Sequence, residues 1–154
     1  GTDVAKPRVG GWVEEWMGRR GLECTIQHFS QCNQLLRQNI LKTHKDLDVW
    51  KLGIQLVVDV YRVTRDFPKE ELYGITSQLK RAAVSVPTNI AEGAARSGKK
   101  EFTHFLYVSL SSLSELETLL IIADELELLD SSTLQDQVTK IRKKLLNLIK
   151  YQMK

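Results

Sequence analysis

Beyond His44 the apolar residues recur at helical spacing. Val49, Gly53, Leu56, Val60, Val63 and Phe67 alternate steps of four and three, and Trp50, Ile54, Val57, Tyr61 and Thr64 form an adjacent row. Two such rows give a wide apolar face, the mark of a helix packed against a core. Asp46 or Asp48 is placed to cap its start, and Pro68 to end it, because the residue before a proline avoids the α region. Ile75, Leu79, Ala82, Val86, Asn89 and Gly93 continue the period in a second helix whose core face is mostly small. Pro87 lies inside it, where the missing N–H and the ring predict a kink. Ser97 and Gly98 make the next turn.

The third segment, Lys99 to Leu129, carries Phe102, Leu106, Ser109, Leu113, Leu116, Leu120 and Ala123 on one seam. At about 1.5 Å per residue it is the longest rod, on the order of 45 Å. Asp130, Ser131 and Ser132 supply a cap, after which Leu134, Val138, Ile141, Leu145, Leu148 and Gln152 carry the seam to the C-terminus. No alternating run bounded by turns suggests a strand. Four helices joined by short connections predict an all-α, antiparallel up-and-down four-helix bundle over residues 44–154.

Residues 1–43 are a less regular N-terminal extension, with Gly10, Gly11, Gly18, Gly21 and Pro7 scattered among Trp12 and Trp16. Within it Leu22, Ile26, Phe29, Leu36 and Ile40 allow an extra amphipathic helix over about 22–42; disorder is the alternative. The chain begins at Gly1, so residue 1 is not expected to be the natural start. A hydrophobic share of 42% and a charged share of 27% suit a water-soluble domain of 154 residues with its own core. No uninterrupted apolar run reaches the roughly 18 residues of a membrane span, and no secretory signal is visible. Both cysteines, Cys24 and Cys32, fall in the extension. That excludes a disulfide framework and fits a cytoplasmic location.

Three stretches are recognisable: HKDLDVWK at His44–Lys51, FPKEELYGITSQLKRAAVSVPTNIAEGAAR at Phe67–Arg96, and EFTHFLYVSLSSLSEL at Glu101–Leu116. In register they resemble the four-helix bundle proteins encoded within intervening sequences of bacterial large-subunit (23S) ribosomal RNA genes. The similarity runs from His44 to about Ile149 and has no counterpart for residues 1–43. The resemblance implies an up-and-down bundle assembled as a pentameric ring. It also implies kinship in shape with the accessory protein of diversity-generating retroelements, which engages a reverse transcriptase and RNA. It implies no reaction.

The residues themselves offer no catalytic constellation. Glu115 and Glu117 point in different directions on a helix and cannot share a proton or a metal. His28, His44 and His104 are dispersed, and Ser109, Ser111, Ser112 and Ser114 read as close-packing positions. Cys24, His28 and Cys32 would stack on one helical face but lack a fourth ligand. Gly93 and Gly98 follow no strand and make no phosphate cradle. The chain is therefore expected to be no enzyme and to hold no metal or cofactor. Asn89 lies on the predicted seam, where an unpartnered amide costs about 1–3 kcal/mol. It belongs either to a local hydrogen-bond cluster at the carbonyl that Pro87 frees, or, with Glu92, to a polar cluster fixing register or a subunit interface.

Charge carries the remaining signal. Folding the hairpins gathers Lys45, Lys51, Arg96, Lys99, Lys100, Lys150 and Lys154 at one pole against fewer acids, whereas Glu70, Glu71, Asp124, Glu125, Glu127 and Asp130 mark the opposite pole. Lys140, Arg142, Lys143 and Lys144 add a band along the fourth helix, with Glu115 and Glu117 across the hairpin from it. The leading expectation is that Arg96, Lys99, Lys100, Arg142, Lys143 and Lys144 meet phosphates of RNA or a ribonucleoprotein, multiplied around an oligomer. The alternative is a protein-interaction scaffold whose basic patches contact an acidic protein.

Overall fold

A computed structural model describes residues 43–154, and within them every regular element is helical. The four helices are α1 (Asp48–Val63), α2 (Ile75–Ala94), α3 (Lys99–Glu125) and α4 (Ser132–Gln152). Their cross-contacts establish the topology. Ser85 meets Ser112, Val86 meets Ser109 and Gly93 abuts Phe105, so α3 climbs as α2 descends. Asp124 reaches Ser131 while Glu117 reaches Arg142, and Asp59 reaches Gln137 while Asp48 reaches Lys144. Gly53 faces Pro87 as Tyr61 faces Lys80. Each helix is thus antiparallel to both neighbours, and α1 packs on α4 to close the bundle.

The core is the predicted seam. Leu56, Val60, Leu79, Val86, Leu106, Leu113, Leu116, Leu120, Val138 and Leu145 are wholly inaccessible. α2 runs continuously through Pro87, whose ring is buried in the place left by Gly53: a Cβ built on that glycine would lie 3.3 Å from the proline Cβ. Gly93 is more tightly held. A Cβ there would come within 2.6 Å of Phe105 Cβ and 2.9 Å of Phe102 Cδ2. The sequence thus brings α2 and α3 together through an absent side chain.

The helix ends depart from expectation in instructive ways. Asp46 accepts the Thr43 N–H at 3.0 Å and caps a short 3-10 turn, His44–Asp46, while Leu47 takes the N-cap position of α1 and Asp48 becomes its first residue. α1 itself stops at Val63. A further 3-10 turn then leads to Phe67, extended as a residue before proline must be.

α3 ends at Glu125, not Leu129. Glu127 N–H donates to the Asp124 carbonyl and Leu128 N–H to that of Ala123, with Glu127 left-handed at φ 56°. That is a Schellman stop built without glycine. Asp124 then accepts both the N–H and the hydroxyl of buried Ser131, tying the end of α3 to the start of α4. Ser131 is the N-cap of α4, and Asp130, one residue before it, accepts the Ser132 N–H at 3.0 Å. Hydrogen bonds from the side chain and backbone of Ser132 hold this carboxyl below its ordinary value. Its contribution to folding is present above the unfolded-chain pKa and is lost as pH falls through the depressed one.

Although no uninterrupted apolar run is that long, α3 contains an 18-residue window of mean hydropathy 1.5, long and apolar enough by composition to cross a bilayer. In the bundle its inner stripe is core. The suggested helix over about 22–42 and the Cys24, His28, Cys32 trio lie outside the described residues.

Candidate nucleic-acid interface

The basic pole is assembled by three chain segments: the start of α1, the α2–α3 turn and the end of α4. Lys45, Lys51, Lys99, Lys100, Lys150 and Lys154 are exposed there, and none joins an ion pair among the described residues. Lys99 and Lys100 occupy the first turn of α3, where the helix dipole already places positive charge. Gly98, the N-cap, contributes no side-chain oxygen, and Glu101 is the acid of the same turn. Two cations at the positive end of a 27-residue helix are poorly placed for stability and well placed for an incoming anion.

Arg96 is more occupied. Its guanidinium pairs with Glu92 at 3.0 Å and lies 5.2 Å from the centroid of the Phe105 ring. An exposed pair of this kind is loosely held, so Arg96 sits at the rim of the pole with a local acid partner.

The α4 band does not form. Consecutive helical positions point about 100° apart, and the three cations separate accordingly. Arg142 turns to α3, bonding Glu117 and, at 3.2 Å, Ser114; Lys144 turns to α1, with Asp48 at 3.7 Å; Lys143 alone faces solvent. Arg142 is therefore a structural bridge between helices. Its guanidinium is already engaged, and residues 142–144 do not face one side.

Asn89 and Glu92 likewise part company. Asn89 lies at the edge of the seam, half-buried, and donates to the Ser85 carbonyl at 2.7 Å and the Ser85 hydroxyl at 2.9 Å; that hydroxyl in turn meets Ser112 of α3 at 2.7 Å. A local hydrogen-bond cluster exists, but it takes the carbonyl of Ser85 and not the one Pro87 frees on Ala83. Glu92 is exposed and bonds Arg96. The two residues share no hydrogen bond with each other. Ser109 completes the α2–α3 contact by donating to the Val86 carbonyl at 2.9 Å.

Among the described residues no three His, Cys, Asp or Glu side chains gather as metal ligands. What the pattern-reading missed is the extent of outward apolar surface. Leu119, off the main seam, is buried and Leu52 packs on the core, whereas Ile54, Val58, Tyr61, Tyr107, Ile121 and Ile122 face outward. Ile54 and Tyr61 belong to the second row that the spacing joins to the apolar face of α1, yet both are exposed.

An up-and-down bundle with one basic pole and polar inter-helix ties defines the class: a helical bundle domain with small, close-packed central helices. The family described as 23S rRNA-intervening sequence protein matches residues 45–149, and the chain belongs to it. The match covers all four helices except the final residues of α4. No curated protein matches the chain.

Proposed function

We propose that this chain is a non-enzymatic, self-associating bundle of the cytoplasm that binds RNA, alone or within a ribonucleoprotein, through its basic pole. The observation that carries the reading is the pair Lys99 and Lys100, exposed and without an ion pair among the described residues, at the positive end of α3. Lys45, Lys51, Lys150 and Lys154 extend the same surface. Self-association supports it, since a ring of copies, five by the family resemblance, repeats the pole and adds one set of phosphate contacts per subunit. The outward apolar residues give such an assembly something to bury.

Phosphate contacts release condensed counterions, so affinity falls steeply with salt and is nearly indifferent to base sequence. Changing Lys99→Glu and Lys100→Glu together is expected to weaken binding to unrelated RNAs by similar factors. It should also flatten the dependence of log affinity on log salt by about two, one per lost cation. Filter binding over several RNAs and salt concentrations reads both effects. No binding by the parent at low salt, or unchanged affinity in the double variant, rejects the RNA reading and favours a scaffold for an acidic protein.

A further inference from the structure

A second group of unpaired cations lies away from the pole, in a groove of about 340 Å³ lined by Tyr61 of α1 and by Lys80, Arg81, Val84, Ser85 and Thr88 of α2. α2 has no acid before Glu92, and neither Lys80 nor Arg81 joins an ion pair among the described residues. The neighbouring acids leave them so. Asp59, two residues before Tyr61, is taken by Gln55, Arg62 and, on α4, Gln137. Across the other seam the Ser85–Ser112 contact sets Arg81 level with Glu115 to Glu117 of α3; Glu117 holds Arg142, and Glu115 joins no ion pair among the described residues.

Besides the two cations the groove offers a ring and an acceptor. Tyr61 is 44% exposed, and the Lys80 amine lies over its ring, 4.9 Å from the centroid. A cation–π contact at an exposed site is weak, and a phosphate oxygen is the stronger partner for an ammonium. An anion arriving at Lys80 and Arg81 therefore draws the amine off the ring and leaves that face to a flat group. Thr88 donates its hydroxyl proton to the Val84 carbonyl at 2.8 Å, so its oxygen is left to accept. A nucleotide complements all three features: its phosphate meets the cations, its base the ring, and a sugar hydroxyl or exocyclic amine Thr88. The carboxylate of an acidic peptide complements only the first.

We infer that the α1–α2 groove is a single-strand site, where an unpaired base of the RNA stacks on Tyr61 while Lys80 and Arg81 hold an adjoining phosphate; the site rests on the RNA binding proposed above and gives it a preference. A duplex cannot use it, because its bases are stacked on one another and offer no free face. The site also joins the pole. Arg81, Ser85, Thr88 and Glu92 recur at helical spacing along the outer side of α2, over about 16 Å, and that ridge leads to Arg96 and the Lys99–Lys100 pair. Beyond the groove in the other direction the α1–α2 connection carries Asp66, Glu70 and Glu71, all unfavourable to a phosphate chain. A strand bound at Tyr61 thus runs towards the basic pole and not away from it.

The test is fluorescence anisotropy on the full chain with a labelled oligouridylate, free or annealed to oligoadenylate, and with an abasic strand of the same length. Tyr61→Ala is expected to weaken the free strand by about tenfold and the duplex hardly at all, while Tyr61→Phe, which keeps the ring, stays within about twofold of the parent. Lys80→Ala with Arg81→Ala is expected to weaken the free strand and to flatten its dependence of log affinity on log salt by about 1.4, about 0.7 for each lost contact. The abasic strand tests the stack without altering the protein: it should bind the parent about tenfold more weakly than the oligouridylate. Equal affinity for the two strands, or a Tyr61→Ala variant that keeps the parent's affinity for the free strand, overturns the site while binding at Lys99 and Lys100 stands. Polyglutamate that binds as tightly as the oligouridylate, and is weakened equally by Tyr61→Ala, overturns it in favour of an acidic peptide. A parent that binds none of the RNAs at low salt removes the RNA reading itself, and this site with it.

Discussion

The α2–α3 and α1–α4 seams use the same antiparallel geometry and hold together by different means. Between α2 and α3 the side chains are small: Gly93, Ala82, Ser109 and Ser112 are buried, and hydroxyls bridge the helices at Ser85–Ser112 and Ser109–Val86. Between α1 and α4 long side chains reach across: Gln137 to Asp59 at 3.0 Å, Lys144 to Asp48 at 3.7 Å. The first seam draws its strength from proximity, where each buried hydroxyl must be satisfied and each added atom has nowhere to go. The second is adjustable at its surface because its polar contacts remain partly in water.

The largest expected effect therefore lies at Gly93. Gly93→Val places atoms where a Cβ alone would already be 2.6 Å from Phe105 Cβ. A destabilisation of about 3 kcal/mol is expected, at the upper end for overpacking, less a modest gain in helix propensity. Gly53 sharpens the point. Its Cβ would sit 3.3 Å from the Pro87 ring, a contact that a few tenths of an ångström relieve. Gly53→Ala is expected to come out within about 1 kcal/mol of the parent, propensity offsetting strain. Urea unfolding of both variants at one fixed protein concentration decides it, since association would shift the apparent stability. Equal losses at the two glycines would break the contrast between close and adjustable seams.

How legible each region was follows from the same difference. Periodicity found the buried stripe because burial in a bundle is periodic: Val49, Gly53, Leu56 and Val60, then Leu106, Leu113 and Leu120, are all inside. It also found the four-helix order, since Pro68, the Ser97–Gly98 pair and the Asp130–Ser132 run punctuate the chain. It failed where direction matters more than spacing. Asn89 keeps the period yet lies at its edge, half-buried, because Ser85 and Ser112 draw its amide sideways. Arg142 and Lys144 are two letters apart and bridge to different helices. The end of α3 was hidden because Glu127 adopts the left-handed turn that glycine normally announces. The basic pole was read correctly as a gathering of three segments, but which of its charges are already paired depends on rotamers that spacing does not encode.

An intermediate effect is expected where α3 meets α4. Arg142 and Glu117 are each about two-thirds shielded, with side chains 29% and 35% exposed. Arg142→Met keeps much of the stem's packing and removes the bridge, leaving Glu117 without its partner. A loss of about 1 kcal/mol is expected, between the values for exposed and buried pairs. RNA affinity should stay within about twofold of the parent, because a phosphate contact at this position would require Arg142 to leave Glu117. A loss of binding as large as that of the Lys99 and Lys100 double variant, with stability unchanged, would return Arg142 to the RNA surface.

The smallest expected effect is at the α1–α4 ion pair. Lys144 and Asp48 have side chains 41% and 75% exposed and approach only to 3.7 Å, so water screens them and two long-range partners must be ordered for little return. Lys144→Met is expected to change stability by no more than about 0.5 kcal/mol, and by less as salt rises. Asp48→Asn should cost at least as much, about 0.3–1 kcal/mol, because Asp48 is also the first residue of α1 and its charge meets the helix's positive end whether or not Lys144 is present. A double-mutant cycle separates the two sources: the coupling between Lys144 and Asp48 should be below about 0.5 kcal/mol, with most of the aspartate's effect surviving in the Lys144→Met background. A coupling well above 1 kcal/mol would mean that this seam, too, depends on a fixed geometry, and the contrast with α2–α3 would fail.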